Sequence, residues 1–167
     1  MLVVLGDTHS TGGLQLTDTV ADAVDSASLV VHAGDFTAGE TLQSFERRAR
    51  KLVAVAGNSD SRLVTEQLPT TATFRFGGRQ FVVTHGHRHD RTSLSLLARQ
   101  EGADMVIVGH THRAEIDHVG GAVVVNGGSH ADPRGGEPTF AMIEQTGANL
   151  QVDIQTTRGS TRERELL

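Results

Sequence analysis

Short apolar blocks recur through the first two thirds of the chain. Leu2-Val3-Val4-Leu5, Leu29-Val30-Val31-His32-Ala33, Leu52-Val53-Ala54-Val55-Ala56, Phe81-Val82-Val83 and Met105-Val106-Ile107-Val108 are each bounded by polar sequence. Blocks this short, rich in β-branched residues, predict buried strands. Between the first three the apolar residues take helical spacing. Leu14, Leu16, Val20, Ala23, Val24 and Ala27 form one face, and Leu42, Phe45 and Ala49 form another within Thr37 to Ala49. Strands alternating with helices predict a parallel sheet with right-handed crossovers.

The pattern then changes. A short helix closes at Pro69, and Thr73 to Phe76 alternates before Gly77-Gly78 and the Phe81 block, which predicts a β-hairpin. Leu94, Leu97 and Ala98 predict one more helix before Met105. From Ala114 the chain reads as strand and turn, through Ala122 to Val125, Phe140 to Ile143 and Leu150 to Ile154. The result is an α/β domain of two packed sheets flanked by helices, over residues 1–155. Residues 156–167 read as a polar C-terminal tail that frays or forms a short surface helix.

Composition narrows the chemistry. The 167 residues suit one domain, and 37% hydrophobic with 21% charged residues is ordinary for a soluble protein. No apolar run has the length of a membrane span and the first residues lack the basic region of a signal peptide, so a cytoplasmic location is expected. There is no cysteine, so any metal must be held by oxygen and nitrogen. A formal charge of −5, no basic stripe, and neither tryptophan nor tyrosine argue against long nucleic acid as partner.

The ends of the apolar blocks carry the candidate chemistry. They supply Asp7 with His9, Asp35, Asn58, His85, and His110 with His112. Strands of a parallel sheet deliver their C-terminal ends to one edge, so these residues are expected to converge. Two carboxylates, one amide oxygen and four imidazoles exceed what one first-row ion accepts, roughly four to six donors. Two ions sharing a bridging carboxylate, about 3.5–4 Å apart, would use them all. Such a pair acidifies a shared water, so that hydroxide is available near neutral pH, and clamps phosphoryl oxygens. Hydrolysis of phosphoesters follows as the expected reaction. Nitrogen and oxygen donors without thiolate suit manganese, iron, zinc, cobalt or nickel alike, and manganese is the expected metal among them.

Gly6-Asp7-Thr8-His9, Gly34-Asp35, Gly57-Asn58-Ser59-Asp60, His85-Gly86-His87 and Gly109-His110-Thr111-His112 resemble, in order and spacing, the signature of the calcineurin-like metallophosphoesterases. Asn126-Gly127-Gly128-Ser129 with Pro133-Arg134 is similar to a segment of the small, cap-less bacterial and archaeal phosphodiesterases. The resemblance implies a four-layer αββα sandwich of two mixed sheets. It implies that Asp7, His9, Asp35 and His112 hold one divalent metal ion, and Asp35, Asn58, His85 and His110 a second. Asn58 would also touch a substrate phosphate oxygen.

Many members carry histidine after the asparagine as proton donor to the leaving group; here Ser59 stands in its place. The candidates to replace it are His87 and a water, and a general acid contributes about 10²–10⁴-fold. Arg134 is a candidate phosphate contact. His32 is expected in the core or behind the ligands, Asp60 behind a ligating imidazole, and His89, His118 and His130 at the surface. The expected activity is hydrolysis of small or activated phosphodiesters. Alternatives are a phosphomonoesterase, or a non-catalytic interaction module on the same scaffold, as in the phosphoesterase-like subunit of retromer. Exposed strand edges make a homo-oligomer an open possibility.

Overall fold

The computed structural model describes residues 1–167. Its first half runs β1 (Leu2–Leu5), α1 (Asp18–Ser26), β2 (Leu29–His32), α2 (Gly39–Arg48), β3 (Leu52–Ala54), α3 (Arg62–Gln67), β4 (Thr71–Phe76) and β5 (Arg79–Thr84). It continues through α4 (Arg91–Glu101), β6 (Met105–Val108), β7 (Ala114–Val119), β8 (Ala122–Gly127), β9 (Thr139–Thr146), β10 (Asn149–Thr156) and β11 (Thr161–Leu166). One sheet has the order β11-β10-β9-β1-β2-β3, the other β4-β5-β6-β8-β7. In the first, β1, β2 and β3 are parallel; in the second, β5, β6 and β8 are. Both sheets are mixed, and the fold is the expected four-layer sandwich.

Side-chain alternation builds the layers. On β1, Leu2 and Val4 face the second sheet, meeting a core that includes Val83, Ile107, Val125, Val152 and Ile154. Val3 and Leu5 face the other way, toward Val20, Val24, Leu42 and Phe45 of α1 and α2. Val82, Val106 and Val124 form the outer face of the second sheet under Ala98 of α4. Strands covered on both faces have no reason to alternate in polarity, which is why the blocks are continuously apolar.

Three expectations need correction. The ligand-bearing strands do not share one sheet: the parallel cores of two sheets place their C-terminal ends at the same end of the sandwich. The last residues are neither frayed nor helical; β11 pairs antiparallel with β10, and Arg164 forks onto the buried Asp153 at 2.6 and 2.8 Å. Leu14 and Leu16 lie ahead of α1, packed against the same apolar layer as the helix. No helix is long and apolar enough to cross a membrane.

Candidate metal centre

Each chemistry-bearing residue sits in the turn just after a strand, and the turns are unusual. Asp7, His9, Asp35, His110 and His112 all have positive φ, between 46° and 69°. Left-handed backbone costs a non-glycine residue about 1–2 kcal/mol. Five such residues around one point are held there by their surroundings. Asp60 supplies much of the hold: its carboxylate accepts the backbone N–H groups of Gly57 (2.7 Å), Thr37 (2.7 Å) and Asp35 (3.1 Å). Asp60 thus fastens the loops after β2 and β3 together; the imidazole partner expected of it is not what it contacts.

The imidazoles take their outer partners from the main chain. His85 Nδ1–H donates to the Ala33 carbonyl at 2.7 Å, and His112 Nδ1–H to that of Asp132. Both rings are therefore fixed with Nε2 facing inward. His85 Nε2 stands 3.0 Å from Asn58 Oδ1, 3.3 Å from Asp35 Oδ2 and 4.0 Å from Asp7 Oδ1. His112 Nε2 stands 3.3 Å from His9 Nε2 and 3.5 Å from Asp7 Oδ1, and His9 Nε2 lies 3.4 Å from Asp35 Oδ2. Asp7 Oδ2 is buried with no hydrogen-bond partner. Lone pairs crowded against oxygens repel unless a proton or a cation lies between them. The residues present thus fit divalent metal ions, in two overlapping groups: Asp7, His9 and His112, and Asp7, Asp35 and His85.

Titration follows the same logic. Burial raises the Asp7 carboxyl to about 6, against the pull of the His85 and His112 rings. Burial also works against ionisation of Asp35, but the His85 ring and the Ser59 N–H, bonded to Oδ1 at 2.7 Å, outweigh it and hold the group below the usual carboxylate range. His85 is shifted upward: burial disfavours its charge, and Asp35 with Asp7 overcompensates.

His110 behaves differently from the others. Its backbone N–H donates to Asp7 Oδ1 at 3.1 Å, while its half-buried ring stands at the rim, 5.4 Å from the His85 ring between centroids. His87 lies beside both, 5.4 Å from His85 and 6.1 Å from His110. Arg88 donates to His87 Nε2 at 3.1 Å, which leaves the proton on Nδ1, a buried atom without a partner. Arg134 is not in the donor cluster. It lies in a groove with His112, Arg113 and Arg162, its Nε 3.8 Å from Asp132.

The sequence reading named Asn126 and Ser129 only within a family-like segment and did not foresee the contacts they make. Asn126 donates to the Gly109 carbonyl (2.9 Å) and to Thr111 Oγ1 (3.0 Å), stapling down the turn that bears His110 and His112. Ser129 donates to the Asp7 carbonyl at 2.8 Å and accepts the Asp132 N–H at 2.7 Å. His130 is buried, contrary to expectation, and with the buried His32 it brackets Thr8 Oγ1 at 3.2 and 2.8 Å. Gly34 N–H points to His32 Nδ1, so His32 donates through Nε2 to Thr8, and Thr8 in turn donates to His130. His32 is therefore a core residue bonded behind the ligand loops, as expected. His118 is exposed and pairs with Glu165; His89 is half-buried.

A family model for the calcineurin-like phosphoesterase superfamily domain matches residues 1–147. The chain belongs to the calcineurin-like phosphoesterase superfamily. The chain is 30% identical over 161 residues to a probable metallophosphoesterase of Methanothermobacter thermautotrophicus, covering 94% of this chain and 92% of the relative. It is 26% identical over 164 residues to the phosphodiesterase YfcE of Escherichia coli K12, covering 86% of each. Among solved structures it resembles the zinc complex of Vps29 from Entamoeba histolytica, with TM-score 0.79, 26% identity, and 99% and 97% of the two chains covered.

Proposed function

We propose that this protein is a metal-dependent phosphodiesterase acting on small or activated phosphoesters. The observation that carries the reading is the inward-facing set of Nε2 and carboxylate atoms, oriented by main-chain carbonyls and lacking any cation of the protein's own to satisfy them. Asp7, His9, Asp35 and His112 would hold one divalent ion and Asp35, Asn58, His85 and His110 the other, with manganese the favoured metal. When bound, such a pair supplies Lewis acidity and a nucleophilic water.

The chain's own residues then divide the remaining work. Asn58 Nδ2, bonded only to Ser59 Oγ at 3.2 Å, is free to turn toward a phosphoryl oxygen. His87 would protonate a leaving group as the imidazolium, a form that burial and the neighbouring His85 disfavour in the free protein and that an arriving phosphoester anion would favour. Arg134, with Arg113 and Arg162 in its groove, offers guanidinium contacts to a substrate anion. The strained, strand-anchored backbone holds the donors before substrate arrives, so their geometry costs no reorganisation during reaction.

That two relatives are named phosphodiesterases supports reading a diester, over a monoester, as the substrate here. Structures named Vps29 raise the non-catalytic reading, and because one is a zinc complex, metal binding does not separate the two. Turnover does. Metal analysis followed by bis(4-nitrophenyl) phosphate and 4-nitrophenyl phosphate assays, with different divalent ions, should show metal-dependent diester hydrolysis that is lost in Asp35→Ala and His110→Ala. A fully loaded protein that hydrolyses neither ester refutes the proposal.

A further inference from the structure

Beside the donor cluster a cavity of about 370 Å³ opens between α4 and the outer face of β6, β7 and β8. That size lies within the roughly 300–1,000 Å³ of small-molecule sites. Its wall includes His110, so it is continuous with the candidate metal centre. Its floor is apolar: Leu94 from α4 faces Val108, Val119 and Val124 from the sheet. These side chains belong to the apolar layer under α4 and also line the opening, the three valines buried and Leu94 half-buried.

The charges around the opening exclude one class of occupant. Asp90, Glu115 and Asp117 stand against the single guanidinium of Arg91, which is already paired with Asp117. Asp90 is committed to the N-terminus of α4, where it accepts from Ser93 at 2.8 Å. A second anionic group placed here would meet uncompensated carboxylates. The arginine groove that holds Arg113, Arg134 and Arg162 adjoins this cavity, with Thr111 and Glu115 on the boundary between them, and is the more cationic of the two.

We propose that this cavity is the subsite for an apolar, non-anionic organic group of the phosphoester, a ring-sized group by its volume. The inference rests on the phosphodiesterase reading and deepens it: the enzyme selects esters by the body of one arm, while the phosphoryl group sits at the donors. Leu94, Val119 and Val124 are specificity-determining residues, and Glu115 rejects anionic arms.

Single-armed phosphonates test this without ambiguity about which arm is seated. Binding of methyl-, phenyl- and 4-carboxyphenylphosphonate to the metal-loaded protein is measured by calorimetry. Burying a ring in this floor predicts that phenylphosphonate binds about tenfold or more tighter than methylphosphonate. The 4-carboxyphenyl compound should lose most of that gain and recover it in Glu115→Gln. Leu94→Trp and Val124→Phe, which fill the cavity from opposite walls, should abolish the phenyl preference and leave methylphosphonate binding unchanged. Equal binding of the phenyl and methyl compounds by the unmodified protein overturns the assignment without recourse to any variant. So does a cavity-filling variant that binds methylphosphonate normally and keeps the preference. Retained ring preference without ester hydrolysis would refute the catalytic reading alone; hydrolysis without ring preference would refute this subsite alone.

Discussion

Gly57 offers a sharp probe of the candidate centre, because it is not one of the proposed ligands. A Cβ built on it would lie 2.1 Å from Asp35 Oδ1, 2.5 Å from the Asp35 nitrogen and 2.8 Å from the Asp35 Cγ. Side-chain carbons essentially never approach other heavy atoms within 3.0 Å, so in Gly57→Ala the carboxylate must retreat by about 0.9 Å. It cannot do so freely. Asp35 Oδ1 accepts the Ser59 N–H at 2.7 Å, and the Gly57 and Asp35 nitrogens are both bound to Asp60. Losing one hydrogen bond to a charged acceptor costs about 1.5–3 kcal/mol. A displacement of about 1 Å in a reacting geometry costs about 10²-fold in rate. Gly57→Ala should therefore lose about two orders of magnitude in kcat/KM on an aryl phosphodiester and bind metal more weakly in a calorimetric titration. The control is Gly12→Ala, where an added Cβ meets nothing within 4 Å. If Gly57→Ala retains the activity and metal affinity of the unmodified protein, Asp35 is not the shared ligand and the reasoning fails.

Three further outcomes are expected. His87→Asn should slow hydrolysis of alkyl esters about 10²-fold or more and barely affect 4-nitrophenyl esters, since only a poor leaving group needs a proton; a uniform loss across leaving groups would refute the donor role. Metal binding should release protons and weaken as the pH falls through about 6, where the metal-free Asp7 carboxyl takes up a proton; the upward shift of His85 makes the decline begin earlier. Calorimetry in buffers of different ionisation enthalpy reads that release directly, and its absence would contradict the donor assignment. Burial lowers His130 to about 4, so its neutral form contributes stability above about pH 6.5 that is lost as the pH falls toward 4, about 3 kcal/mol in all. His130→Gln keeps an acceptor for Thr8 and should flatten the difference in denaturant stability of the metal-free protein between pH 7 and 4; an unchanged pH dependence would refute this account.

The apolar blocks announced the strands well because both faces of β1, β2, β5 and β6 are covered, and burial alone dictates their composition. The turn residues at their ends stood out for the complementary reason: Asp7, Asp35, His85 and His112 are polar, yet packed where an ordinary turn would point to water. Their division between two sheets was not visible in strand order. The short parallel runs β1–β2–β3 and β5–β6–β8 look alike in sequence, and only pairing distinguishes them. The strand β11 was masked by its own position. An edge strand reading Thr-Arg-Glu-Arg-Glu-Leu is charged because one side stays wet, and charge on an edge discourages pairing with other chains. His130 carried no periodic context that could reveal its burial, since its loop lies outside every strand and helix.

Because the donors ride on strand-end turns, outside the three apolar layers, the architecture and the chemistry are built from nearly separate sets of residues. Replacing a donor leaves the sandwich its cohesion and relieves the crowding of like donor atoms, so descent toward a purely structural protein meets little resistance from folding. One scaffold can accordingly populate both sides of that divide, and resemblance in shape alone will not tell catalysts from their silent kin.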